Sequence, residues 1–188
     1  MTDKTPSGER PARGRPWLWL FLSLAGVILD QFSKWLCSTY LKPVGSVKII
    51  PGFLKFTYIE NRGAAFGSFS DHRWVFMVFS TVAIVAVTVY LLRFSENHRL
   101  LRLSLAMIVS GGVGNMFDRI GLGYVVDFID FHAIWQYIFN IADCFVCIGA
   151  GLMVLYCILS MRDEIQKEKN KAAAAAETSA VEEDDHEC

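Results

Sequence analysis

Charge is what this sequence lacks over most of its length. Only 20% of its 188 residues are Asp, Glu, Lys or Arg, against 53% hydrophobic, and the charges crowd into the two ends and a few short segments. Residues 74–92 hold none. A composition this apolar argues against one ordinary soluble domain. An excess of one sign is missing too. The formal net charge is −1 and no basic face with interleaved aromatics occurs, so nucleic acid is not expected as a partner. Histidine is scarce and scattered (His72, His98, His132, His186), with no H-E-x-x-H pair. The five cysteines give no disulfide framework. Cys144 and Cys147 form a C-x-x-C, but apolar sequence surrounds them and no two further ligands are near. They read as small packing residues, and neither a metal nor another cofactor is expected.

What is there is a set of long apolar runs. A bilayer core of about 30 Å needs roughly 20 apolar residues in a helix, and four stretches qualify: 17–36, 74–92, 103–118 and 138–161. Backbone groups in lipid must be satisfied within their own segment, which makes these helices rather than strands. The first run has a basic lead, yet Asp30, Gln31 and Lys34 follow where a cleavage site would need small residues. It is therefore expected to be retained. The fold expected is an all-α, four-transmembrane-helix bundle, spanning 17–162. With both termini on one side, that side carries 11 Lys and Arg against 6 or 7 on the other, so the termini are expected to be cytoplasmic.

Between the first two helices, residues 44–69 read as short strands forming a small periplasmic β-sheet. Val47 and Ile49 are β-branched, Pro51-Gly52 marks a turn, and 53–59 is rich in aromatics. Segment 119–137 reads as an amphipathic connection. The basic tail 1–16 and the tail 163–188, with its alanine run and acidic end, read as disordered.

Ionisable groups at membrane depth cost about 2.5–3.5 kcal/mol each even on lenient scales, so each needs a reason. Asp30 has Lys34 one turn along the same face, and Asp118 has Arg119 beside it for pairing once the helix ends. Asp127 and Asp143 have no local cation. Two carboxyls brought together in apolar surroundings can share one proton, the arrangement with which aspartic proteases activate water. A lone buried Asp is more often a satisfied hydrogen-bonding residue, and paired membrane Asp also serve proton relays and transporters. Asn115-x-x-Asp118 and Asn140-x-x-Asp143 repeat one spacing, as though each pair lay on one helix face. Asn61 precedes a small-residue stretch and reads equally as a turn or as a substrate ligand.

Five motifs resemble the bacterial lipoprotein signal peptidases (signal peptidase II). They are Asp30-Gln31-x-x-Lys34, the stretch 61–67, Gly111-Gly112-x-Gly114-Asn115-x-x-Asp118-Arg119, Val125-Val126-Asp127-Phe128, and Phe139-Asn140-x-Ala142-Asp143. The resemblance runs from about residue 17 to 159. It implies an inner-membrane endopeptidase that removes the signal peptide of a diacylglyceryl-modified prolipoprotein just before the lipidated cysteine, near the periplasmic face and among membrane phospholipid. It implies a catalytic dyad of Asp127 and Asp143. Asn61, Asn115, Asp118, Arg119 and Asn140 match the polar groups that support the site or hold substrate, and Asp30 and Lys34 a structural motif. The remaining alternative is a small proton-relay or transport protein, although four dissimilar helices lack the inverted repeats common there.

Overall fold

The computed structural model describes residues 17–63, 73–93 and 98–184. The tail 1–16 and residues 64–72, which include the end of the expected β segment, lie outside them. The described elements run α1 (Trp17–Leu36), β1 (Ser46–Ile50), β2 (Leu54–Asn61), α2 (Arg73–Arg93), α3 (Arg99–Gly121), β3 (Val125–Asp130), β4 (Ile138–Phe139) and α4 (Ile141–Asp184), with one π-helical turn, Cys37–Leu41, closing α1.

α1, α3 and the first part of α4 are each long and apolar enough to cross a membrane, and Met77–Arg93 of α2 is a shorter apolar helix. Phe21, Ile28, Val78, Phe79 and Val154 are all more than half exposed. Apolar exposure of this kind, on helices long enough to cross a bilayer, suits a lipid surrounding. The protein is membrane-embedded and multi-pass.

α3 is the central element, packed on α1, α2 and α4. At the end away from the sheet, Leu91, Leu101, Leu105 and Ala106 form the buried core, flanked by Trp19, Met153 and Tyr156. Further along, the helices close on polar and small residues. Ser23 Oγ of α1 donates to the Ala106 carbonyl at 2.9 Å. A side chain at Gly111 would meet the Ala142 carbonyl of α4, and a Cβ at Gly114 would lie 2.6 Å from Asp30 Oδ2 of α1. Gly114→Ala must therefore displace a buried carboxylate, at a cost of about 1–3 kcal/mol. Its thermal unfolding in detergent is expected several degrees below wild type, and an unchanged midpoint would contradict this packing.

The sheet is antiparallel in the order β1-β2-β3-β4. β1 and β2 form the expected hairpin around Pro51-Gly52, with Gly52 at φ 75. The sequence reading confines the sheet to the segment between the first two helices, and here the structure differs. β2 leaves an open edge, and the α3–α4 connection supplies the run Val-Val-Asp-Phe-Ile that pairs with it, setting Ile59 opposite Asp127 and Asn61 opposite Val125. β4 completes the sheet beside β3.

The C-terminal segment also differs from expectation. Instead of a disordered tail from residue 163, α4 continues to Asp184. It is exposed through Ala173. Alanine, Glu, Gln and Lys have strong intrinsic helix propensity, and Gln166 Nε2 donates to Asn170 Oδ1 one turn on at 2.9 Å. Through Ala173, local preference rather than packing makes this helix.

Candidate active site

Asp127 sits in the middle of β3, and the pairing with β2 turns its side chain towards the end of the helix bundle. Its Oδ2 accepts from Asn61 Nδ2 at 2.9 Å, and its Oδ1 from Asn140 Nδ2 at 2.6 Å. Burial pushes this carboxyl up to about 6 and the charge of Asp143 acts in the same direction, while the Asn61 and Asn140 amides and the Lys34 ammonium oppose them. A raised folded-state value means that the native protein holds the proton more tightly than the unfolded chain. That stabilisation is complete below the ordinary value of 3.8 and is lost as pH rises through about 6. Asp127→Asn has no proton to lose. Its thermal midpoint relative to wild type is expected to climb between pH 4 and pH 6 and stay level above. A difference independent of pH would show that Asp127 ionises normally.

Asp143 is the third residue of α4. Asn140, just before the helix, accepts from the Asp143 N–H through Oδ1 at 2.9 Å, and its own N–H donates to Asp143 Oδ2 at 3.2 Å. This is a reciprocal capping box. The Asn140-x-x-Asp143 spacing is thus not two residues on one helix face, because Asn140 lies outside the helix. Asn115 of α3 donates through Nδ2 to Asp143 Oδ1 at 2.7 Å. Its Oδ1 accepts from Asn140 Nδ2 at 3.1 Å. Asn140 thereby touches both aspartates, one through its amide nitrogen and the other through its amide oxygen and backbone.

Beneath this cluster lies a buried ionic network. Lys34 Nζ is 2.8 Å from Asp30 Oδ2, one turn back, as expected. It is also 3.0 Å from Asp118 Oδ2. The expected pairing of Asp118 with Arg119 is not what forms. Asp118 points into the bundle towards α1, where Lys34 and Gln31 meet it, whereas Arg119 turns to the site and donates through Nη1 to the Asn115 carbonyl at 3.4 Å. Adjacent helical residues point in different directions, which separates them.

The structure therefore joins Asn61, Asn115, Asp127, Asn140 and Asp143 in one hydrogen-bonded cluster, with Arg119 at its edge and Asp30, Lys34 and Asp118 behind it. Sequence reasoning missed Gln31, whose Nε2 reaches Asp118 Oδ1 at 2.9 Å and the Gly114 carbonyl at 3.1 Å. It also missed Asp130 on β3, paired with Lys55 at 3.2 Å and bonded by Thr57 at 3.1 Å. Asp30-Gln31 beside Lys34 was a visible signal for the first. Nothing short of the strand register marks the second. Among the described residues, no three His, Cys, Asp or Glu are grouped as metal ligands, and Cys144 and Cys147 are free thiols.

Comparison with known proteins places the chain. The family model described as signal peptidase (SPase) II matches residues 22–159. The chain belongs to the signal peptidase II family. It is 40% identical over 147 residues to the lipoprotein signal peptidase of Symbiobacterium thermophilum, covering 77% of this chain and 97% of that protein. It is 45% identical over 127 residues to that of Caldanaerobacter subterraneus, covering 68% and 86%. A crystallised bacterial membrane enzyme solved in meso superposes with a TM-score of 0.72 at 28% identity, covering 78% of this chain and 91% of the other. Family membership makes this membrane protein a peptidase and removes the transport alternative. All five motifs fall within the matched residues.

Proposed function

We propose that the chain is an intramembrane aspartic endopeptidase that removes the signal peptide from diacylglyceryl-modified prolipoproteins, cleaving just before the lipidated cysteine. The observation that carries this reading is the convergence of Asp127 and Asp143 on a single asparagine, with no cation bonded to either among the described residues. Such a pair holds one proton between two carboxylates. One member takes a proton from water as the water attacks the scissile carbonyl, and the neutral member hydrogen-bonds the developing oxyanion and then gives its proton to the departing amine.

The surrounding polar groups fit substrate handling. Asn61 and Asn115 stand directly against the pair with Arg119 beside Asn115, and the guanidinium has further N–H donors for a peptide carbonyl. Asp118, Asp30 and Lys34 support from behind. The positive-inside pattern favours cytoplasmic termini in the inner membrane, with the sheet and the dyad at the periplasmic face. A cysteine whose acyl chains stay in the bilayer holds its scissile bond at that depth. The purified chain is expected to cleave a diacylglyceryl-modified prolipoprotein and to leave the unmodified precursor intact. Equal cleavage of both, or of neither, would remove the lipid-anchored substrate from this reading.

A further inference from the structure

Asp30 and Asp118, both also bonded by Gln31 Nε2, each hold a backbone N–H and the Lys34 ammonium, and these contacts are parallel. Asp30 Oδ1 accepts from the backbone N–H of Ala142 at 2.8 Å, while its Oδ2 meets Lys34 at 2.8 Å. Asp118 Oδ2 accepts from the backbone N–H of Val126 at 3.1 Å and meets Lys34 at 3.0 Å. Ala142 immediately precedes Asp143, and Val126 immediately precedes Asp127. Each carboxylate of the buried network therefore grips the backbone next to one member of the dyad. Lys34 ties the two grips together.

The third contact of Lys34 goes to the dyad by another route. Its ammonium has three donors and no acceptor, and the third reaches Asn115 Oδ1 at 3.0 Å. An amide oxygen held by an ammonium cannot turn away, so the Asn115 Nδ2 must face Asp143 Oδ1, as it does at 2.7 Å. With the amide reversed, an NH2 group would oppose the ammonium, and a carbonyl oxygen would oppose the carboxylate. Asp30, Lys34 and Asp118 are at most 3% exposed, so water cannot replace these contacts, and Gly114 has no side chain to intrude on Asp30.

We propose that Lys34 is a positioning residue for the peptidase reaction: through Asp30, Asp118 and Asn115 it fixes the backbones and the facing amide that set the two dyad carboxylates relative to each other. This goes beyond a purely structural role for the Asp30–Lys34 pair, and it rests on the aspartic reading above. A positioning defect falls on the chemical step, and displacement of about 1 Å costs about 10²-fold in rate.

The test uses the full chain with Lys34→Arg and Lys34→Met, a diacylglyceryl-modified prolipopeptide as substrate, and kcat, KM and thermal unfolding read separately. Arginine keeps the charge, but its planar fork cannot direct three donors from one atom. Lys34→Arg is expected to fold and to bind substrate with a KM within about threefold of wild type, yet to lose about 10²-fold in kcat. Lys34→Met leaves two buried carboxylates unpaired and is expected to lose stability as well as kcat. A folded Lys34 variant with kcat near wild type overturns the inference, as does a loss confined to unfolding temperature or KM. If instead wild type is active while Asp143→Asn remains active too, the aspartic reading itself has failed.

Discussion

Asn at either Asp127 or Asp143 is expected to abolish turnover, by about 10⁴-fold or more, with the protein still folded and inserted. The exchange preserves size and most hydrogen-bonding geometry but removes a proton carrier. Among the described residues, Asp127 accepts from Asn61 and Asn140, and Asp143 from Asn115 and the Asn140 N–H. None of these amide donors can relay a proton at the pH of the reaction. The double variant should be hardly worse than either single one, since groups acting as a unit are not additive. In the wild type, the two ionisations measured from the activity profile belong to the pair and not to either residue. Substantial turnover by either single variant would falsify the dyad.

Asn140→Ala should be the next most damaging change, for a reason the dyad itself does not share. The side chain caps α4 through the Asp143 N–H and also donates to Asp127 Oδ1 and Asn115 Oδ1. Loss of an N-cap costs about 1 kcal/mol, and loss of the bridge between the carboxylates should lower kcat by about 10²-fold through misplacement. Asn140→Ser separates the two effects. Serine is as good a cap, but its short hydroxyl cannot serve the cap and Asp127 together. It is expected to recover the unfolding temperature without recovering kcat. Recovery of both by serine would reduce Asn140 to a helix cap.

The helices were legible because lipid demands them. Apolar runs of the right length define α1 to within a residue, place both ends of α2 and α3 to within a few, and place the start of α4 but not its end. The site was half legible. Asp127 and Asp143 stand out as uncompensated charges, but their meeting depends on β3 joining β2, a contact between segments more than 60 residues apart. The run Val125-Val126-x-Phe128-Ile129, bounded by glycines on one side, is itself a strand signal. What it pairs with is not written locally. Asn140-x-x-Asp143 has the spacing of a capping box with Asp in place of Glu, and it becomes readable as one only once the helix start is known. Asp118 shows the opposite hazard, where a cation adjacent in sequence drew attention from Lys34 on another helix. The end of the helix at Asp184 was misjudged because the tail's composition is both disorder-like and strongly helix-forming, and α4 continues directly into it.

The most direct measurement is to follow cleavage of a diacylglyceryl-modified prolipopeptide by mass spectrometry in the presence of hydroxylamine. Water activated by the Asp127–Asp143 pair leaves no covalent acyl-enzyme. The expected products are a signal peptide ending in a free carboxylic acid and a fragment whose new N-terminus is the lipidated cysteine. A signal peptide recovered as the hydroxamate, or a cut at any other bond, would contradict an aspartic peptidase acting at this site.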